Sequence, residues 1–405
     1  MRTWTRRRAL HGTAALSAFP LLFNRDAGAA EAKPPNPIPN DARGLQADPA
    51  SSAAALKAPR PLVHVTDLFR PHDDPDDHWD LATAYAMTSR GDLDLLGILT
   101  DNPANLPSVY KSACSPDVAA VAQLNYLTDR AVPVTTGTIW PSKPGEKVRE
   151  DNLPKDLRGV SMLLDILRRS PRSVAITVVG CCQDVAIAGK KEPRLFTEKC
   201  AGIYLNAGCG SPNPELQKLG DEVEWNVHLN RGAYATVFEL PCPIYWLPCF
   251  NTFANTAVAG EYGTAWSFKQ RDVLSHLSPR AQVYFAYVLS KESGINWLFY
   301  LLDSGNKNTA EKYYDEIRGM YSTASFVHAA GKTVTRGGEM VSLEVAGDSA
   351  VYEFIPIDVH CDENGITEWK RAEGPTHRHL FHIRDLEKYP KAMATALRTL
   401  LLDLS

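Results

Sequence analysis

The chain has 405 residues, 44% apolar and 22% charged, the proportions of an ordinary globular protein and not of a disordered or fibrous one. Its formal net charge is −4, and no run of basic residues occurs beyond the N-terminus. No field therefore favours nucleic acid or an anionic membrane, and nucleic-acid binding is excluded as a default.

The first segment reads as a targeting signal. Arg6, Arg7 and Arg8 precede an apolar stretch from Ala14 to Phe23, and Ala27-Gly28-Ala29 supplies small residues for cleavage. Basic, apolar and small regions in that order make a signal peptide over residues 1–30, and the adjacent arginines point to the twin-arginine route. The apolar stretch is shorter than the about 20 residues that span a bilayer. The expected location is periplasmic or secreted, with no membrane attachment after cleavage. Residues 31–61, rich in Ala, Pro, Asn and Asp, read as a disordered linker, and the folded domain is expected over 62–405.

Within that domain, Leu62–Thr66 is a short apolar run fit for a buried strand, followed by an acidic loop and a helix from Trp79 to Arg90. Leu95–Leu99 is the next strand, a helix falls near Val109–Leu127, and Val132–Val134 is strand-like. A helix at Val160–Arg169 leads to a strand at Val174–Val179. A short helix at Asp184–Gly189 precedes the strand Ile203–Leu205, and a helix at Arg231–Glu239 precedes the strand Pro243–Leu247. Such alternation predicts an α/β domain with a largely parallel central sheet flanked by helices. Its ligand is expected beyond the carboxyl ends of the strands. Ser278–Ala330 turns helical and aromatic-rich, as a helical layer or cap would. Ser342–Val345 and Val351–Val359 are strand-like, and a last helix starts at Pro390 and runs to Leu402.

Eight cysteines are present and none forms a CxxC pair, which removes zinc-ribbon and thioredoxin readings. Export permits disulfides; a chain of this size folds without them, so buried free thiols are the simpler expectation.

Chemistry concentrates between Thr66 and Asp80, where six aspartates occur: Asp67, Asp73, Asp74, Asp76, Asp77 and Asp80. Crowded carboxylates raise one another's pKa unless a cation neutralises them. Hard oxygen ligands suit Ca²⁺ or Mg²⁺ and not zinc. A solvated loop or a helix N-terminus accounts for part of the pattern, since Asp76 and Asp77 stand where a helix begins. The spacing is not that of an EF-hand.

The order of strand, Thr66-Asp67, a Pro-containing turn, Asp76-Asp77 opening a helix, then Leu95-Leu96-Gly97-Ile98 resembles the inosine–uridine-preferring nucleoside hydrolase family, in a divergent, secreted form. The family's usual opening is Asp-Thr-Asp-Pro-Gly-x-Asp-Asp-Ala; this chain inserts Leu68–Pro75 and lacks the Gly. Val178–Ala186 resembles the family's Gly-Pro-Leu-Thr-Asn turn, Leu205–Gly210 its Met-Gly-Gly turn, and Glu222–Asn230 its Glu-Phe-Asn segment. The resemblance covers roughly Leu62 to Leu402. It implies a nucleoside-hydrolase-like fold and cleavage of the N-glycosidic bond of a ribonucleoside or related ribosyl compound, with Ca²⁺ activating water. It further implies Asp67 as calcium ligand and general base, Asp77 as a second ligand, and Gln183 as a ligand through its backbone carbonyl. Asp76, Glu224 and Asn226 would hold the sugar. The expected partner is a small sugar or nucleoside, in a possible homo-oligomer.

One departure matters. The family supplies a further metal-binding Asp late in the chain, where this sequence has Met320-Tyr321-Ser322-Thr323-Ala324. Ser322 or water fills that position, or another carboxylate reaches it, or metal binding is weakened. A catalytically impaired sugar- or nucleoside-binding protein on the same fold is the alternative function. His328, His377, His379 and His382 are candidates for the acid that protonates the leaving group. Ser322 has no surrounding Gly-x-Ser-x-Gly, so a serine hydrolase is excluded.

Overall fold

The protein is described by a computed structural model over residues 58–71, 75–102, 115–140, 146–253, 256, 260–290, 297–302 and 310–404. The signal peptide, nearly all of the expected linker, Asp73, Asp74 and Cys114 lie outside these residues. One compact unit, Ala53–Ser405, holds the whole domain.

Nine strands form one sheet: β1 (Arg60–Thr66), β2 (Leu93–Thr100), β3 (Val134–Thr136), β4 (Val174–Val178), β5 (Cys200–Asn206), β6 (Ile244–Leu247), β7 (Tyr352–Cys361), β8 (Thr367–Arg371) and β9 (Arg378–Ile383). Their spatial order is β8-β7-β9-β6-β5-β4-β1-β2-β3. From β3 to β9 every neighbouring pair is parallel; only β7 and β8 join by antiparallel pairing. Parallel strands are covered on both faces and so read as continuous apolar runs, as β1 and β4 do.

The two faces have separate cores. Leu62, Leu95, Ile98 and Phe381 face a cluster containing Trp79, Tyr85, Tyr284, Phe285, Phe326 and Leu397. These come from helices α1 (Asp76–Ser89), α2 (Pro279–Leu289), α3 (Thr323–Ala329) and α4 (Tyr389–Leu401). Val63, Val65, Ile176 and Trp246 face Leu163, Leu167, Val185, Phe196 and Tyr234 on the opposite side. The sequence's alternation is thus realised as a helix–sheet–helix sandwich, and the aromatic-rich stretch after Ser278 is part of one helical layer.

Several features differ from the sequence expectations, among them the strand β8 and a strand at Ile317–Met320 inside the stretch read as helical. Ser342–Val345 is not a strand: Met340–Ser342 ends a short hairpin and Leu343–Ala346 is a helical turn. Pro193–Lys199 is a helix that starts on Pro, and β9 is a sheet strand; neither was expected. All seven described cysteines are buried and unbridged. Among the described residues, no helix is long and apolar enough to cross a membrane.

Candidate active site

The carboxyl ends of the parallel strands deliver most of the polar residues of the site. Asp67 follows β1 directly, Asp101 follows β2, Gly180-Cys181 follow β4, and Asn206 closes β5. Asp76 and Asp77 come from the first turn of α1, which brings acids to the positive end of a helix, and Asp80 follows one turn on.

Asp67 is 3% exposed and accepts a hydrogen bond from the Trp225 indole Nε1 at 2.8 Å. Asp77 stands within hydrogen-bond reach of Asp67. Burial, then the charges of Asp67, Asp76 and Asp80, push the Asp77 carboxyl well above the usual carboxylate range. Asp101 is likewise pushed up, by burial first and then by Asp67 and Asp184, against the Cys181 backbone N–H that donates to it. Burial raises Asp80 to about 8, with a further push from Asp67. The Ser322 hydroxyl adjoins Asp80, but it donates to Asn206 Oδ1 at 2.7 Å, and neither Asp80 oxygen has a hydrogen-bond partner.

Gly180 makes this packing feasible. A Cβ there would lie 2.6 Å from the Asp67 backbone nitrogen and 2.7 Å from its Cβ. Any larger residue would drive the ends of β1 and β4 apart.

Glu224 is 4% exposed and caps the short helix α5 (Trp225–Leu229). Its Oε2 accepts from Gly208 N at 2.7 Å and Val227 N at 3.3 Å, and its Oε1 accepts from Asn226 N at 3.0 Å. Gly208 presents its N–H from a left-handed turn, φ +84°. Burial raises Glu224 to about 7 in spite of these donors. Asn226 Nδ2 donates to Val179 O at 3.2 Å and Asn206 O at 2.9 Å, tying the ends of β4 and β5 together. Asp76 is the first residue of α1 and half-exposed, beside Asp77 at the mouth.

Gln183 opens the helix Gln183–Lys191. Its side chain turns away from the acids: Nε2 donates to Thr138 O, and Oε1 accepts from Asn230 Nδ2 at 3.4 Å. Carbonyls of an α-helix point along its axis towards the C-terminus, so this carbonyl is directed into the helix's own hydrogen-bond ladder.

The structure therefore gathers Asp67, Asp76, Asp77, Glu224 and Asn226 at one edge of the sheet, with the Gln183 side chain packed behind. Asp101, Trp225 and Asn206 belong to the same edge and were given no role from the sequence, as does Asp80, counted there among the six aspartates without a role of its own. Asp101 carried a usable signal, because Thr100-Asp101 ends a strand just as Thr66-Asp67 does. Half-buried Trp225, bonded to Asp67, has its ring 6.2 Å from that of the exposed His228, and half-buried Phe250 lies against Tyr321 at 5.6 Å.

The candidate histidines face elsewhere. His328 contacts the Tyr204 hydroxyl at 3.1 Å, and burial lowers it to about 3. His379 stacks on Tyr245 at 5.0 Å, and His382 contacts Glu353 at 3.0 Å. His377 gives its backbone carbonyl to Ile244 N at 2.7 Å.

Among the described residues, none of Asp67, Asp77, Asp80 or Asp101 pairs with Lys or Arg, and no three His, Cys, Asp or Glu side chains already converge as on an ion. The donor set nevertheless fits a hard cation: buried carboxylates in mutual contact, one with both oxygens unpartnered, demand positive charge or protons.

No family model matches the chain, and no curated protein does. Solved structures do match it, and several are nucleoside hydrolases. The inosine–uridine-preferring nucleoside hydrolase from Bacillus anthracis is 14% identical over 84% of this chain and 99% of its own, with a TM-score of 0.42. An inosine–guanosine nucleoside hydrolase is 15% identical over 84% of this chain and 98% of its own, with a TM-score of 0.47. The type III effector protein XopQ, complexed with adenosine diphosphate ribose, is 15% identical over 88% of this chain and 100% of its own, with a TM-score of 0.42.

Proposed function

We propose that the protein hydrolyses the N-glycosidic bond of a ribonucleoside or related ribosyl compound, using a site that holds Ca²⁺. The observation that carries this reading is the set of buried, cation-free carboxylates beyond the strand ends, with Asp67 and Asp77 in contact at its centre. Cleavage of a ribosyl N-glycoside builds positive charge on the sugar, and a concave surface of fixed carboxylates stabilises that charge.

Asp67 and Asp77 would hold the ion. The Gln183 carbonyl joins them only if the first turn of its helix opens, so it is the least favoured of the three expected ligands. Bound calcium would grip sugar hydroxyls and lower the pKa of a bound water. Asp67 is the base that takes a proton from the attacking water; the Trp225 N–H fixes the direction of its carboxylate. Asp76, at the mouth, meets a ribose hydroxyl. Asn226 offers the sugar only its amide oxygen, since its N–H₂ joins two strands. The Trp225 ring, bonded to Asp67, gives a planar base a surface to stack on.

Glu224 favours a second reading. Its two oxygens already accept three backbone N–H groups, so its hold on a sugar is spent in part on the loop itself. This suits an impaired enzyme that binds a sugar or nucleoside without cleaving it. Elemental analysis of the purified chain and a reducing-sugar assay on a nucleoside panel separate the two. The hydrolase reading expects bound calcium and released ribose. Saturable nucleoside binding without sugar release establishes the binding protein instead, and protein that takes up no divalent cation overturns the calcium site.

A further inference from the structure

We propose that Asp80 is a carboxylate ligand of the cation in this site, replacing the acid that position 322 lacks. The inference deepens the calcium reading above and rests on it.

Asp77 and Asp80 are three residues apart on α1, so their side chains leave the same face of the helix. Asp80 is 0% exposed; the Ser322 hydroxyl lies within reach of it but gives its one proton to Asn206 Oδ1, which leaves both Asp80 oxygens without a donor. Asp80 lies within electrostatic reach of Asp67 and Asp77. A buried acid with two unsatisfied oxygens costs stability unless a proton or a cation meets it. Its oxygens face a place where something positive belongs.

The neighbour of Asp80 makes the assignment specific. Ser322, on the turn before α3, adjoins Asp80 and directs its hydroxyl proton to Asn206 Oδ1. A serine there leaves room for the Asp80 carboxylate, whereas an aspartate would press a second negative charge against it. The acid at 80 and the hydroxyl at 322 are therefore complementary: the negative charge has moved from the turn to the helix, and the site keeps its charge count. Calcium affinity follows that count and the rigidity of the ligands, so the serine at 322 does not imply a weakened site.

The test is a calorimetric titration of the full chain with Ca²⁺ alone, in the absence of substrate, on four forms. Wild type is compared with Asp80→Asn, with Ser322→Asp, and with Asp80→Ser combined with Ser322→Asp. Asp80→Asn should weaken calcium tenfold or more while the circular dichroism stays native. Ser322→Asp alone should not tighten binding, and the combined variant should return the affinity to within about threefold of wild type, the charge having been moved back. An Asp80→Leu variant guards against a folding artefact. It should melt, calcium-free, at or above the wild-type temperature and show no calcium-induced rise. Unchanged affinity in Asp80→Asn, or a tenfold gain in Ser322→Asp alone, overturns the proposal and leaves the calcium reading standing if Asp77→Ala still abolishes binding. A wild type that takes up no calcium overturns both.

Discussion

At the scale of single residues, the site is built from acids held where water cannot stabilise them. Removing one should help the metal-free fold and harm the loaded one. Asp77→Ala is therefore expected to melt, calcium-free at pH 7, at or above the wild-type temperature, because it deletes a buried carboxyl crowded by Asp67, Asp76 and Asp80. Its calcium-induced rise in melting temperature should vanish together with turnover; full metal occupancy in the variant would place the ion elsewhere. Glu224→Gln behaves differently. The amide N–H₂ must face a backbone donor that the carboxylate now accepts, so urea unfolding should show a loss of about 1–3 kcal/mol, alongside weaker sugar binding. An unchanged urea midpoint would show that the cap is not made in solution. Asp67 and Asp77 were pointed to in the sequence by the resemblance of Thr66-Asp67 and Asp76-Asp77 to a family's opening motif, and the structure brings both to one strand edge. The cap role of Glu224, the Trp225 bond to Asp67 and the orphaned oxygens of Asp80 were not legible there, since each depends on which loops meet in space.

At the scale of elements, the parallel sheet was readable because β1, β2, β4, β5 and β6 are buried over most of their length and are largely apolar. The strand β9, Arg-His-Leu-Phe-His-Ile, was not. Its polar residues interrupt the apolar run and find partners of their own: His382 pairs with Glu353 on β7, and Arg378 donates to the carbonyls of Phe238, Leu240 and Cys242. The helix Pro193–Lys199 buries only Phe196 and so has no apolar stripe to read. Where elements meet, the tolerance is small. Gly180→Ala places a methyl 2.6 Å from a backbone nitrogen that cannot rotate away. The ends of β1 and β4 must part, carrying Asp67 with them. Calcium affinity should fall by roughly tenfold or more, with a stability loss of about 1–3 kcal/mol from overpacking. Paired calcium titrations and urea curves of wild type and variant check this, and an intact affinity would show that the strand ends give way without moving Asp67.

At the scale of the whole molecule, the acids tie folding to pH and to calcium. Burial and neighbouring charge raise Asp77, Asp80 and Asp101 above their usual carboxylate values, with Asp80 reaching about 8. A carboxyl raised in the folded state binds its proton more tightly folded than unfolded. Stability from such a group is present below the unfolded value near 3.8 and is lost as pH climbs through the folded one. Free of metal, the protein should therefore lose melting temperature between about pH 4 and pH 8, beyond what its exposed groups cause. Calcium reverses the sign of the problem, since it takes the place of the protons and favours the ionised acids. With calcium at about a hundredfold above its dissociation constant, linkage adds roughly 2.7 kcal/mol, and the fall towards pH 8 should flatten. Binding near pH 6 must also release protons, because acids that were neutral become ligands. Calorimetry in two buffers of different ionisation enthalpy measures that release directly. Proton release at pH 6 that fades by pH 9 matches the raised acids. A release of zero at pH 6, with melting curves parallel in the presence and absence of calcium, would mean that the ion binds somewhere other than among these carboxylates.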